Sequence, residues 1–519
     1  MERGRLRLIA LLLCAVFLLV GCGGSGGETT TENGEAAPAR DTLIVGMDRE
    51  PAGLDPASSH VTTAVMIFNN IYDTLLAFDT DMQIQPRLAE SYEQLDDVTY
   101  KFNLRKGVKF HNGEELKSSD VLFSFKRLYD IPAAQGQVDM IDPNGFECPD
   151  DYTFILRTKE PWSALPAQVC SSYMNILNEK AVTEAGEDYN RNPVGTGPFK
   201  FVSWTPGDSI VVERFDDYWG DKAILNKVVF RIITETTSRV IDLESGGLDI
   251  ALAVGVTDVE RLQNNPDFEL IQFTHTGIRY GAFNCSKEIF SDKRVRQALN
   301  YATDVDTIFN VLYDNGLGAM RADSPVIPLL PGRNTDLPKY EYNPEKAKEL
   351  LAEAGYPDGF SVEYNYLANT TNTRLGEMLQ AQWAEVGVEL IMSPLESATL
   401  TAALNAGEHD FCTANSTYAL GDTIEGLYSF FHSSMHGTSR CRAFLSSPEI
   451  DALLDEARVE QDEERRLELA YKIQELIHEE APWIYIAYEY YNVGLKSDVK
   501  GFVPAPNSAH DFSKVYIEP

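Results

Sequence analysis

Leu8–Val20 is the only stretch of this 519-residue chain apolar enough to concern a membrane, and it is too short to stay in one. A permanent spanning helix needs roughly 20 consecutive apolar residues, and this run has about a dozen. Arg3, Arg5 and Arg7 precede it, and the small residue Gly21 stands just before Cys22. Positive, apolar and small segments in that order read as a secretion signal that is removed from the mature protein. No later segment matches it, so everything from Thr42 onward must fold in water on the far side of the cytoplasmic membrane.

Charge and size narrow the classes further. With 79 acidic against 44 basic residues the formal net charge is −35. Such a field repels phosphate backbones and anionic headgroups, which excludes a nucleic-acid-binding role. A chain this long exceeds one compact core and implies several α/β domains. Five cysteines lie beyond residue 22, at 148, 170, 285, 412 and 441, with no C-x-x-C spacing for a zinc ribbon or thioredoxin-type motif. In an oxidising compartment Cys148 with Cys170 is the expected local disulfide, although spacing alone fixes no pairing and five is an odd number.

Strands and helices alternate from Thr42 to the end. Thr42–Gly46 reads as a buried strand, and Thr99–Arg105 alternates with Tyr100, Phe102 and Leu104 on one face. Ser119 or Asp120 can cap a helix carrying Val121, Phe125 and Leu128. Asn343-Pro344 opens a helix with Ala347, Leu350, Leu351 and Ala354 inward, closed by Gly355. Leu375, Met378, Leu379, Trp383 and Val386 mark a helix that stops at Gly387 before the strand Val388–Met392. Ser447-Pro448 starts another helix, with Ile450, Leu453, Leu454 and Ala457 inward. These helix-then-strand units predict α/β lobes.

Enzyme motifs are met only in fragments. Gly23–Gly27 has the letters of a nucleophile elbow but lies in a Gly/Thr/Glu-rich tether without flanking strand and helix. Gly195-Thr-Gly-Pro lacks the third glycine of a dinucleotide loop. His478-Glu479 is not followed by the second histidine of a zinc protease, and Asp79-Thr-Asp81 lacks the glycine of a calcium loop. His432 and His436 stand four apart without a third ligand in the spacing, so a polar loop or helix end is preferred to a metal site. Arg440 and Arg442 are surface cations by default, but a guanidinium lining a cleft would suit a carboxylate.

Several long segments resemble the extracellular solute-binding proteins of family 5, the oligopeptide and dipeptide receptors of ABC importers. They are Leu88–Tyr92 running through Tyr100–Gly113 to Asp120–Leu128, then Asn192–Phe199, Phe283-Asn284 with Asp292–Ala302, Tyr342–Glu345, Ser447–Leu454 and Ala481–Tyr485. The Gly21-Cys22 junction likewise looks like the lipobox of bacterial lipoproteins, which would make Cys22 the lipidated first residue of the mature chain. An ordinary signal peptide with an incidental cysteine is the alternative.

The resemblance implies an α/β fold, a two-lobed periplasmic-binding-protein clamshell of type II with an extra small domain inserted in the first lobe. The expected division is 1–21 signal peptide, 22–40 lipidated cysteine and tether, 41–87 with 191–283 and 487–519 as lobe I, 88–190 as the inserted domain, and 284–486 as lobe II. The lobes would be joined by crossover strands near Tyr280–Asn284 and Ile484–Tyr488. It implies a monomeric receptor without cofactor or metal, held to the membrane by its lipid. An oligopeptide would be captured between the lobes and passed to ABC permease subunits driven by cytosolic ATPases. Solute contacts are expected from Ser59, His60, Asn284, Tyr366, Asn415, Tyr418, Asp422 and Arg440. Dipeptide receptors grip the solute carboxylate with an Arg and its ammonium with an Asp. Ungapped alignment puts Leu367 at the first position and Ser416 and Ala419 about the second, with Asp422 a few residues on. Both anchors are therefore expected to be missing. That opens the cargo to longer peptides, or to a sugar, an opine or a metal chelate. A secreted hydrolase is the remaining alternative, and no catalytic motif supports it.

Overall fold

The computed structural model describes residues 40–58, 62–418 and 420–519. Cys22, Ser59, His60 and Ala419 lie outside the described residues.

The architecture is organised by one long strand. Trp483–Lys496 is rich in Tyr, Ile and Val, residues that suit a half-buried pleated surface. Its second half, Tyr490–Lys496, pairs antiparallel with Phe268–Thr274. Its first half pairs with Gly277–Phe283 and, further along, with Ala319–Arg321. Phe268–Thr274 and Gly277–Phe283 are themselves consecutive, separated only by His275 and Thr276. The chain thus crosses from one half of a twelve-stranded sheet to the other along two neighbouring paths. One path is unbroken, and the other is interrupted at His275-Thr276. Of the expected crossover segments, Ile484–Tyr488 falls inside the unbroken strand, and Tyr280–Asn284 runs one residue beyond Gly277–Phe283.

On one side of the crossing, Thr42–Met47 pairs parallel with Lys227–Ile232 and Ile250–Ala251. Leu43, Val45, Phe68, Phe199, Phe230 and Phe512 fill the core there. On the other side, Gly277–Phe283 pairs with Phe411–Thr417, and Phe360–Leu367 lies between Phe411–Thr417 and Val388–Leu395. Two cores cover the faces of this half. One is built on Tyr280, Tyr418, Leu427, Phe430 and Trp483, the other on Phe283, Tyr364, Leu379, Trp383 and Phe411. A separate four-stranded antiparallel sheet, Ala89–Asp96, Thr99–Leu104, Thr153–Thr158 and Ile141–Asp150 in that order, has its own core of Tyr100, Phe102, Phe125, Phe154 and Trp162.

Local signals are realised where they are strong. Asn343 and Ser447 accept hydrogen bonds from the backbone N–H groups of Lys346 and Ile450, each with proline next in sequence. The helix Ser118–Leu128 begins before either expected cap. Its N-cap is Lys117, and Asp120 instead receives the Lys117 N–H at 3.0 Å. The expected Cys148–Cys170 disulfide is not formed, and all five described cysteines are free. Both thiols sit against the core of the small sheet. Each spends its weak donor on a carbonyl, Cys148 on Ser118 and Cys170 on Pro166, both at 3.3 Å. His432 stacks on Tyr428 at 4.2 Å, and His436 bonds the Leu445 carbonyl at 2.9 Å. No helix among the described residues is long and apolar enough to cross a membrane.

Candidate functional site

Two adjoining cavities stand out, and the larger reaches the crossing at His275-Thr276. The larger, about 400 Å³, is walled on one side by the helix Thr62–Ile71 and the segment that follows it, with Asn69, Tyr72 and Asp73. Ser171 to Tyr173 approach from the small sheet's side, His275 and Thr276 form the edge at the crossing, and Arg440 stands opposite. The smaller, about 280 Å³, lies between Gln137, Asp139 and Trp162 of the small sheet's region and Tyr418, Asp422, Glu425 and Arg458 across from them. Gln137 and Arg440 line both, so the two are compartments of one cleft. Their volumes are those of ordinary ligand pockets.

The electrostatics of the walls differ. Asp73 has a fully buried side chain with both oxygens engaged. Arg87 Nε donates to one oxygen at 2.6 Å, and Thr196 Oγ1 and Trp219 Nε1 to the other, each at 2.9 Å. Asp422 caps the helix Thr423–Phe431 by accepting from the Glu425 N–H at 2.9 Å. Both its oxygens also take the Arg466 guanidinium, each at 2.8 Å. Glu425 is gripped by Arg458 and by Trp162.

Arg440 is the exception. Its Nη1 donates to the Thr417 carbonyl at 2.8 Å, and among the described residues no carboxylate forms an ion pair with it. Burial pulls its pKa below the usual arginine value. A desolvated guanidinium held by one carbonyl keeps donors for a planar anion, and carboxylate is the group its fork fits. At the crossing, His275 bonds Ser508 Oγ at 3.0 Å, and burial lowers its pKa. Neighbouring His510 is pushed down to about 3 by complete burial, with His275 adding to the shift.

The structure brings together three of the residues singled out from the sequence. Tyr418, Asp422 and Arg440 line the smaller compartment, and Arg440 reaches the larger one. Tyr418 points its hydroxyl at the Pro325 carbonyl, 2.8 Å away. The other described ones sit elsewhere. Asn284 is fully buried and holds the carbonyls of Gly407 and His409 at 3.0 and 2.9 Å. Tyr366 is buried and stacked on Tyr364 at 4.6 Å. Asn415 is exposed and donates to Glu489, which also receives Tyr313 and Arg279. Leu367 is half-exposed at the end of its strand, and Ser416 is bonded to the Tyr280 hydroxyl. Sequence reasoning missed Gln137, Tyr173, His275 and Glu425, which stand in unrelated segments and share no motif.

The model of the bacterial extracellular solute-binding proteins, family 5 Middle, matches residues 83–437. Heme-binding protein A of Haemophilus influenzae is 30% identical over 99% of this chain and 100% of its own length. The ABC transporter-associated periplasmic binding protein DppA of Helicobacter pylori, solved in complex with the peptide STSA, is 30% identical. It superimposes with a TM-score of 0.81 over 93% of this chain and 99% of that one. AgaA of A. tumefaciens R10, solved with agropinic acid, is 27% identical with a TM-score of 0.79 over 92% and 99%. The partners named for these three differ in chemistry, and the two solved structures share the fold of this chain.

Proposed function

Because this chain belongs to the bacterial extracellular solute-binding proteins of family 5 and has their two-lobed α/β fold, we propose that it is the lipid-anchored receptor of an ABC importer, capturing peptides between its lobes. The lobes are assigned as 41–87 with 191–283 and 487–519, and 284–486, with 88–190 inserted in the first. Solute enters the open cleft, touches both walls and shifts the population toward the closed form, which docks on the permease. No bond is made or broken on this chain. The anchor is Cys22, and a monomer suffices.

The observation that carries the reading is Arg440, a desolvated cation on the cleft wall without a carboxylate of its own. A peptide's terminal carboxylate is the group it fits. The AgaA complex with agropinic acid favours one second reading, an acidic non-peptide solute held by the same guanidinium. Mass spectrometry of the small molecules released from gently denatured, freshly purified protein tests both. Peptides are expected. A single acidic non-peptide solute would replace them as cargo, and a purely cationic or neutral one would remove Arg440 from the site. The anchor is tested separately. Cys22→Ala should release the protein from the membrane, because a short polar tether has no affinity for lipid. A mutant that stays in the membrane fraction after a high-salt wash would overturn the lipidation.

A further inference from the structure

The cleft is also bridged by a bond between two of its own side chains. Trp162 is 2% exposed, and its ring packs in the core of the four-stranded sheet. Its indole N–H donates to Glu425 Oε1 at 2.7 Å, across 263 positions of sequence. Glu425 lies in the first turn of the helix Thr423–Phe431, whose Leu427 and Phe430 belong to a different core. The acceptor is also held from its own side. Arg458 Nε donates to Oε1 at 2.9 Å and Nη2 to Oε2 at 3.1 Å, while its guanidinium stands 4.3 Å from the Tyr428 ring centroid. Gly421, just before that helix, also comes close to Met82, in the segment assigned above to the first lobe. A Cβ added to Gly421 would stand 2.8 Å from Met82 Cε, so the walls fit closely there.

A buried donor and a charged acceptor that meet only when the walls meet favour the closed arrangement, whatever lies between them. Little ordering is needed, since the ring is locked in one core and the carboxylate in the other. We propose that Trp162 and Glu425 form a latch that closes the cleft independently of solute, making Trp162 a positioning residue for capture. The closed fraction it sets multiplies the affinity for every solute by the same factor. The inference rests on the reading of this chain as a receptor that closes on its cargo.

Single-molecule energy transfer on the full chain tests the latch without solute. Dyes are placed at Leu95→Cys and Val459→Cys, which are 50% and 37% exposed, with Cys148, Cys170 and Cys285 replaced by Ser. The parent should show a closed population, and Trp162→Phe, which keeps a ring in the core and removes the donor, should lower it about tenfold. Glu425→Gln keeps an acceptor oxygen and should lower it less. An unchanged closed fraction in Trp162→Phe, or no closed dwell in the parent, overturns the latch. Where tri- and tetrapeptides of alanine bind the parent, Trp162→Phe should weaken both by one common factor through faster release. Unequal factors would make Trp162 a solute contact instead, and also overturn the latch. Failure of both peptides to bind the parent counts against the peptide reading alone, because the solute-free measurement still decides the latch.

Discussion

Asp73 and Arg440 face the same compartment from opposite walls and have opposite electrostatic histories. Asp73 is buried with three donors converging on it, so its charge is spent inside its own wall. Arg440 is desolvated by the fold and left with one carbonyl. The contrast separates charges that build the cleft from a charge that waits for something in it. A buried charge with a full set of partners is scaffold, and one without is poised for a ligand.

The largest effect should come from breaking the paired wall. Asp73→Ala strands the Arg87 guanidinium, the buried Thr196 hydroxyl and the part-buried Trp219 indole, which should cost about 3–5 kcal/mol of stability. Urea unfolding followed by circular dichroism would measure it. A loss below about 1 kcal/mol would mean that water reaches the Arg87 site freely, and the contrast between the walls would collapse.

The unpaired wall should behave the other way. Arg440→Met keeps the stem and removes an uncompensated charge, so the unfolding midpoint should hold or rise. Affinity for a carboxylate-bearing solute should fall by about 2 kcal/mol, roughly thirtyfold, by calorimetry. A destabilised protein with unchanged affinity would make Arg440 scaffold as well.

The same contrast explains what could be read from the sequence. Strands with period-two alternation and helices opened by Asn343-Pro344 or Ser447-Pro448 declare themselves, because caps and alternation are local. The Ser118 helix shows the limit. Asp120 looked like a cap, but its carboxylate reaches back to the Lys117 N–H, and only the backbone geometry decides which residue leads. The site was legible in part for a related reason. Arg440 could be singled out as a cation by its chemistry, yet that it lacks a carboxylate is a property of the whole fold. Asp422 looked equally available. Its partner Arg466 lies 44 residues away, and no sequence pattern reports that the two meet. Trp162 and Glu425 are more distant still, and Cys148 and Cys170 share a core without sharing a bond.

The smallest effect is the sharpest test, since it turns on which charges are left over. A bound peptide offers an ammonium at one end and a carboxylate at the other. For the carboxylate there is Arg440. For the ammonium, the acids lining the two compartments are Asp73, Asp139, Asp422 and Glu425. Asp73, Asp422 and Glu425 are each gripped by an arginine, which leaves Asp139, an exposed residue. An exposed ion pair is worth at most about 1 kcal/mol. Acetylating the amine of a cognate peptide should therefore weaken binding by less than about 1 kcal/mol, whereas amidating its carboxylate should cost about 2 kcal/mol through Arg440. Calorimetry on the free, acetylated and amidated forms of one peptide measures both. Equal small losses would remove Arg440 from the contact set and leave the peptide held by its backbone and side chains. A loss of a hundredfold or more on acetylation would mean that Asp422 gives up Arg466 to take the ammonium, and that the paired acids of this cleft are exchangeable rather than fixed.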